Sequence, residues 1–110
     1  MQHTLRVEGE ALVIAFEGEV DLEHSPKARE VLLDGVKQGK RVFVDMAGVT
    51  YIDSSGVASL VEAFQRAKGQ GSGFALVAVN PAALRVLQLA RLDKVFVIHE
   101  TLAEGLDGAA

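Results

Sequence analysis

Apolar residues follow two different periods along this chain, and the two periods alternate from one end to the other. A short continuous or alternating apolar run predicts a strand, whereas apolar residues three to four positions apart predict an amphipathic helix. Strand-type runs occupy residues 4–7, 11–16, 41–46, 74–79 and 95–98. Stripes of helical spacing contain Ala28, Val31, Leu32, Gly35 and Val36, then Val57, Leu60, Val61, Phe64 and Lys68, then Leu84, Leu87 and Arg91.

Turn and cap residues predict where these elements begin and end. Gly9 lies between the first two runs, which is typical of an antiparallel hairpin. Ser25 followed by Pro26 predicts a helix start, with the serine as the cap and the proline at the first helical position. The pair Asn80-Pro81 predicts a second start of the same kind. Gly39 is expected to end the first helix, because glycine readily adopts a positive φ.

The predicted order of elements is ββαβαβαβα. Thr101 and Glu104 have the spacing of a capping box, which predicts a short helix after the last strand. Strands that alternate with helices pair mostly in parallel. We therefore predict one α/β domain at residues 1–106, with a hairpin followed by βαβαβ-type units in a mixed sheet and helices packed on it. Residues 107–110 are predicted to form a short tail.

Composition and charge narrow the classes of function. The chain has 110 residues, no cysteine and a net charge of −4 from 11 basic and 15 acidic residues. Without cysteine there is no disulfide, thiolate metal site or thiol nucleophile. The basic residues are scattered, with Lys40-Arg41 as their longest run, so we expect no nucleic-acid partner. No apolar stretch approaches the roughly 20 residues of a membrane span, and the first residues lack signal-peptide order, so we expect a cytoplasmic protein.

Common catalytic templates do not fit this sequence. The glycines of residues 69–73 lack the spacing of a phosphate-binding or dinucleotide-binding loop and predict a flexible turn. His3, His24 and His99 have no partner at the spacing of a helical metal pair, so we expect them on the solvated surface. A serine-hydrolase elbow is also missing. We therefore expect no enzyme, with no catalytic residue, cofactor or metal.

Residues 51–57 are the remaining candidate for chemistry. Asp53, Ser54 and Ser55 place a carboxylate and two hydroxyls where a short loop leads into the second predicted helix. Such groups can cap backbone N–H groups, and a helix N-terminus favours an anion. Gly56 leaves the first turn bare, so that another protein can approach the backbone. From spacing alone an ordinary helix cap is the more frequent explanation, and a protein-docking site is the alternative.

The stretch of residues 44–57 resembles the signature of STAS domains, specifically those of bacterial anti-sigma factor antagonists. Residues 18–21, Gly-Glu-Val-Asp, resemble the family's Gly-Glu-Leu-Asp after the second strand. Asn80-Pro81 followed by residues 84–95 resembles the family's third helix and final strand. The resemblance covers nearly the whole chain, and the predicted order of elements matches the family's fold.

This resemblance implies a function by partner switching. The serine after the motif aspartate, here Ser54, is phosphorylated in such proteins by a partner kinase that is also the anti-sigma factor. Ser55 is then the neighbouring hydroxyl and cap, while Asp21, Asp53 and Gly56 shape the phosphosite and bind the partner. The unphosphorylated antagonist binds the anti-sigma factor serine kinase, the phosphorylated form releases it, and a PP2C-type phosphatase resets the switch. A monomer is expected when the protein is free.

Other functions stay open from the sequence. A STAS domain can also be a subunit of a bacterial lipid-transport ABC system, where it supports an ATPase without being phosphorylated, or a scaffold in a stress-sensing assembly. A small nucleotide hydrolase using Asp53 and Ser54 is the weakest hypothesis, because it lacks a phosphate loop, a metal cluster and a general base. Two positions depart from the family pattern. Arg91 stands where members often have glycine, so we expect an altered turn there, whereas Val57-Ala58 stands where Leu-Gly is common and keeps the apolar, small character.

Overall fold

The computed structural model describes residues 1–107, and within them the helices and strands follow the predicted order. Their bounds are β1 Gln2–Glu8, β2 Ala11–Val20, α1 Ser25–Val36, β3 Arg41–Ile52, α2 Ser54–Gly69, β4 Phe74–Val77, α3 Pro81–Leu89, β5 Val97–His99 and α4 Leu102–Asp107. Helix α4 therefore includes Asp107, the first residue of the predicted tail. Residues 108–110, the rest of that predicted tail, lie outside the described part of the chain.

The strands form one mixed sheet whose spatial order is the chain order, β1-β2-β3-β4-β5. Strands β1 and β2 form the predicted antiparallel hairpin, with Gln2 opposite Glu17 and Glu8 opposite Ala11. The pairs β2–β3, β3–β4 and β4–β5 are all parallel. Because a helix follows each of β2, β3 and β4, helices α1, α2 and α3 all begin at the same edge of the sheet.

The two faces of the sheet bury two separate apolar clusters. Leu12, Ile14 and Phe16 of β2 face the larger cluster, which also contains the buried apolar residues of α1, α2 and α3. The alternating β2 residues, Ala11 and Val13, face the smaller cluster, which α4 covers with Leu102 and Leu106. None of the helices in residues 1–107 is both long enough and apolar enough to cross a lipid bilayer.

Strand β3 is longer than its apolar run predicts. It continues from the predicted end at Met46 to Ile52, because β2 pairs with it as far as Val20 opposite Ile52. The pairing accommodates irregular register between Ala15 and Glu17 and again between Gly18 and Glu19. Such bulges bend a strand and redirect its end, here towards the start of α2.

Helix α1 begins differently from the prediction. The cap residue is His24, not Ser25, and the Ser25 side chain is buried within the first turn. The Ser25 and His24 backbone N–H groups both donate to the Asp21 carbonyl oxygen, at 2.7 and 3.0 Å. This tight turn supplies partners for the first backbone donors, so a serine side-chain cap is unnecessary at this helix. Helix α1 ends at Val36, and Gly39 follows it with φ +80°, the positive φ that was predicted for this glycine.

Phe43, Phe74 and Phe96 are buried, as expected for apolar residues of the strand-type runs at 41–46, 74–79 and 95–98. Phe64 is half-buried and packs edge-on against Phe74 and Phe96, with ring centroids 6.2 and 5.4 Å apart. Lys68, predicted on the apolar face of α2, is exposed. Lys68 is therefore not part of the buried face of α2, which consists of Gly56, Val57, Ser59, Leu60, Ala63 and Ala67.

The altered turn expected at Arg91 is not found after α3, so that prediction is wrong. This residue has φ +60°, a left-handed conformation that glycine adopts without strain. The Leu92 N–H donates to the Leu87 carbonyl oxygen at 2.8 Å, the bond that closes a Schellman-type helix end. The chain thus keeps the turn geometry that usually selects glycine, and it places an exposed arginine at that position.

Candidate functional site

The five predicted site residues lie where β2 and β3 end beside the start of α2. Asp21 directly follows β2, and Asp53 directly follows β3. Parallel pairing of these strands brings the two segments together. The Leu22 N–H then donates to Asp53 Oδ2 at 3.0 Å. Ser54, Ser55 and Gly56 form the first turn of α2. The structure therefore assembles these residues from two segments about thirty positions apart in sequence.

Asp53 is the N-cap of α2, as the helix-cap interpretation allowed. The expectation that Ser55 is the cap is wrong, because Ser55 lies within the first turn and its hydroxyl donates to Asp53. Its Oδ1 accepts hydrogen bonds from the Ser55 N–H at 3.0 Å, the Gly56 N–H at 3.1 Å and the Ser55 hydroxyl at 2.6 Å. The Ser55 hydroxyl is the main cause of a lowered pKa for the Asp53 carboxyl group. Partial burial opposes this shift, and the backbone N–H groups of Gly56, Ser55 and Leu22 reinforce it. Asp53 is therefore a carboxylate at neutral pH, held through both oxygens.

The two serines have different surroundings. Ser55 is half-buried and its hydroxyl donates to Asp53, as described above. Ser54 is the first residue of α2 and is exposed. Within residues 1–107 no side-chain hydrogen bond engages the Ser54 hydroxyl. A hydroxyl in this position is accessible to another protein, and a reaction on it breaks no hydrogen bond of the fold.

Gly56 allows α2 to approach the end of β2 closely. A Cβ at this position would lie 2.5 Å from the Val20 carbonyl oxygen and 2.8 Å from Cγ1 of Ile52. Neither the backbone nor the buried Ile52 can move away easily in a densely packed interior. The Asp53 N–H also donates to the Val20 carbonyl oxygen, at 3.4 Å. Gly56 is thus required by packing inside the protein, in addition to the predicted access for a partner.

Asp21 lies beside the site, but its carboxylate binds a residue of its own turn. Its Oδ1 accepts from the His24 N–H at 3.1 Å and lies 2.7 Å from His24 Nδ1. Partial burial acts to raise the pKa of Asp21, and the hydrogen bonds and charge of His24 outweigh it, so this pKa is lowered. Within residues 1–107 no hydrogen bond joins the Asp21 side chain to either serine.

Sequence reasoning missed two residues of this site. Leu22 holds Asp53 through its backbone N–H, a role that no side-chain pattern could reveal. His24 was predicted to be a solvated surface residue, and this is wrong, because its ring is half-buried against Asp21. The same prediction is wrong for His99, whose ring packs on Phe43 with centroids 6.4 Å apart. For His24, the sequence did offer a signal of its partner: Asp21 lies three positions earlier.

The site has the form of a surface rather than a substrate pocket. The cavity next to Gly56 has a volume of about 10 Å³ and an apolar lining that includes Phe16, Val20, Met46 and Leu60. That volume is close to what a single water molecule needs. Among residues 1–107, no three His, Asp or Glu side chains are arranged to hold a metal ion. The exposed elements of the site are a hydroxyl, a carboxylate and the start of a helix, which suit contact with another protein.

Comparison with known proteins assigns the fold and the family. The STAS domain family profile matches residues 2–105. An anti-sigma-B factor antagonist of Listeria monocytogenes is 28% identical over 88 residues, which are 79% of this chain and 77% of that protein. The crystal structure of an anti-sigma factor antagonist from Mycobacterium paratuberculosis has a TM-score of 0.90 and 25% identity, over 97% of this chain and 92% of that one.

The Bacillus cell fate determinant SpoIIAA in its phosphorylated form has a TM-score of 0.75 at 21% identity, over 99% of this chain and 100% of that one, which establishes a shared fold. The predicted α/β fold and the resemblance stated from the sequence are thus both confirmed. A family match that covers nearly every described residue, together with relatives named anti-sigma factor antagonists, leads to one conclusion: this chain belongs to the STAS domain family.

Proposed function

We propose that this protein is an anti-sigma factor antagonist that works by partner switching. Unphosphorylated, it binds an anti-sigma factor that is also a serine kinase. Phosphorylation of Ser54 by that kinase releases the complex, and a PP2C-type phosphatase restores the binding form. The names of the relatives support this function, and the observation that carries it is the contrast between the exposed Ser54 hydroxyl and the bound Ser55 hydroxyl.

The position of Ser54 suits a reversible phosphate. A phosphoserine carries about −1.5 to −2 charges at neutral pH. The N-terminus of α2 favours an anion by roughly 0.3–1 kcal/mol, which makes the modification tolerable within the folded protein. Asp53, which is ionised and adjacent, opposes the phosphate. Because Asp53 and not Ser54 caps α2, the modified protein keeps its helix start and needs no refolding.

Local charge and bulk are sufficient to release a partner. A phosphate in a contact that formerly held a hydroxyl adds repulsion from acidic groups facing it, and it displaces well-packed atoms. A combined loss of about 3 kcal/mol weakens binding by about a hundredfold. This mechanism places Asp21, Asp53, Ser55 and Gly56 around the contact, and it locates the activity in the cytoplasm, where kinase, phosphatase and sigma factor act.

Phosphosite mapping on protein taken from its own cells tests the proposal. Rapid lysis with a metal chelator prevents a metal-dependent phosphatase from removing the phosphate. We expect phosphate on Ser54 under some growth conditions and none on it under others. Phosphate confined to Ser55, or absent from both serines under all conditions, would contradict the mechanism.

Capture experiments with matched variants test the partner. Ser54→Ala retains the shape of the site and is expected to hold the kinase permanently, whereas Ser54→Asp is expected to lose it. Ser55→Ala is the control, because it leaves the phosphorylated hydroxyl in place and should still respond to kinase and ATP. Capture of the ATPase subunit of a lipid-transport system by all three variants alike would instead favour that use of the domain.

A further inference from the structure

The surface beside Ser54 is acidic and partly apolar. Residues 17–23 contain four acidic side chains and no basic one. Glu19 and Glu23 are exposed, and between them Leu22 has 75% of its surface exposed. Tyr51, which is 53% exposed, is the pairing partner of Glu19 across β2 and β3. We call Glu19, Leu22, Glu23 and Tyr51 the acidic end.

A second exposed surface has the opposite charge. Arg85, Arg91 and Lys94 are all exposed, while Leu89 has 76% and Val95 45% of their surfaces exposed. Arg85 and Leu89 are four positions apart on α3 and therefore lie side by side. Half-buried Asp93 is the one acidic residue between positions 85 and 97. We call Arg85, Leu89, Arg91, Lys94 and Val95 the basic end.

The charges of both ends lack partners within the described chain. Some exposed charges elsewhere are paired: Arg29 Nη2 lies 2.7 Å from Glu62 Oε2, and Arg6 Nε lies 3.0 Å from Glu8 Oε1. Among residues 1–107, none of the charged side chains of the acidic end or the basic end belongs to an ion pair. The most exposed large apolar side chains of residues 1–107, Leu22 and Leu89, lie one at each end.

The two ends cannot meet within one molecule. The acidic end lies at the carboxyl ends of β2 and β3. The basic end extends from the second half of α3 into the turn that leads to β5, whose first residue Val97 pairs with Ala75 near the start of β4. Strands β2 and β5 are three strand spacings apart, roughly 14 Å. The two surfaces therefore lie at opposite corners of the molecule.

We propose that the acidic end of one copy binds the basic end of a second copy. Opposite charges steer such a contact, and the exposed leucines, with Tyr51 and Val95, supply apolar area that is buried on association. Because the two surfaces differ, the contact is head-to-tail and extends into short chains rather than closing as a symmetric dimer. Because each end consists of at most five side chains, we expect a small interface and a weak, dynamic association, with a protein that stays monomeric when dilute.

Sedimentation velocity of the full chain tests this proposal. The weight-average sedimentation coefficient should rise from about 10 µM to about 1 mM protein, the range in which an interface this small associates. The rise should be much smaller in 1 M salt, where the screening length falls from about 10 Å to about 3 Å. Glu19→Lys/Glu23→Lys and Arg85→Glu/Lys94→Glu should each remain monomeric throughout, with a dissociation constant at least about tenfold higher than that of the wild type.

A mixture of the two charge-reversed proteins is the decisive measurement. Each variant alone carries like charges at both ends, whereas the mixture brings the unaltered basic end of one against the unaltered acidic end of the other. We therefore expect mixing to restore association. The control for Glu19→Lys/Glu23→Lys is Asp34→Lys/Glu104→Lys, which makes the same change in net charge as that variant at two exposed positions outside both ends and should associate like the wild type.

Two results would overturn the proposal. One is a sedimentation coefficient that stays at the monomer value at every concentration and salt. The other is a mixture that remains monomeric, which would exclude the acidic end as the ligand of the basic end. Anionic phosphatidylserine vesicles that bind the wild type but not Arg85→Glu/Lys94→Glu would then identify that ligand as a lipid surface. None of these measurements involves phosphorylation, so they are independent of the proposed partner switch.

Discussion

Helices α2 and α3 begin at the same edge of the sheet, and both are capped by a side chain of the preceding residue. Asp53 accepts from the Ser55 and Gly56 N–H groups, and Asn80 accepts from the Ala83 N–H. After Asn80 comes a proline, whereas after Asp53 come two serines and a glycine. The cap residue of α3 also links this helix to strand β3, because the Asn80 side-chain amide donates to the Val49 carbonyl oxygen.

This difference indicates that capping by itself is a structural task, common to both helices. The function proposed for α2 depends on what accompanies the cap: an ionised carboxylate, a bound hydroxyl that orients it, and an exposed hydroxyl that the fold does not use. Gly56 adds close contact with β2, for which α3 has no equivalent among its first residues. The following substitutions separate these contributions.

The largest expected effect is that of Gly56→Ala. The new methyl group overlaps the Val20 carbonyl oxygen, and we expect a loss of about 2–3 kcal/mol in the free energy of unfolding. Gly69→Ala is the control at the other end of α2, where a Cβ would have no neighbour within 4 Å. It should be neutral or stabilising by up to about 1 kcal/mol. Urea unfolding measures both, and equal effects at the two glycines would contradict the packing argument.

Removal of the α3 cap by Asn80→Ala is expected to lower the free energy of unfolding by about 1–2 kcal/mol. Two bonds are lost, the cap to Ala83 and the link to Val49. Asn80→Ser restores a cap acceptor but cannot supply the amide donor, so it should recover part of the loss. Full recovery in thermal unfolding would mean that the Val49 link contributes nothing. Neither variant should alter phosphorylation of Ser54.

Stability should depend on pH through the α2 cap and not through the α3 cap. The pKa of Asp53 is lower in the folded state, so its stabilising effect is present above the unfolded pKa of about 3.9 and is lost as pH falls through the folded value. In Asp53→Asn the cap does not ionise. The difference in unfolding free energy between wild type and Asp53→Asn should therefore be constant at neutral pH and shrink towards pH 3.

Urea titrations of both proteins between pH 7 and pH 3 measure this difference. The other carboxyl groups with a lowered pKa, Asp21 and Glu62, are present in both proteins and cancel. Asn80→Ala supplies the matched control, because its difference from wild type should not change over this range. A difference for Asp53→Asn that grows as pH falls would contradict an ionised cap.

The smallest expected effect distinguishes the two serines by stability alone. Ser54→Ala should leave the free energy of unfolding within about 0.5 kcal/mol of wild type, since its hydroxyl has no partner within residues 1–107. Ser55→Ala removes the 2.6 Å bond to Asp53 and should lower the melting temperature by a few degrees. Differential scanning calorimetry measures both. The reverse order would exchange the roles assigned to Ser54 and Ser55.

Local pattern was enough to predict the order of the elements and the site motif. Hydrophobic periodicity depends on which residues face a core, so it located the five strands and α1, α2 and α3, with the buried Phe43, Phe74 and Phe96 in the strand-type runs. Asp53 and Asn80 were predictable as caps because a cap bonds to backbone only two or three residues away. Residues 44–57 likewise carry the family signature in a continuous stretch.

Tertiary structure decided whatever depends on contacts between distant segments. β3 extends to Ile52 because β2 pairs with it, and α1 starts at Ser25 with His24 as its cap because the turn at Asp21 already holds the first N–H groups. The role of Leu22 in holding Asp53 is likewise a contact across 31 positions. Sequence records which groups a residue offers, whereas only the folded chain determines which of those groups find partners and which, like the Ser54 hydroxyl, stay available to another protein.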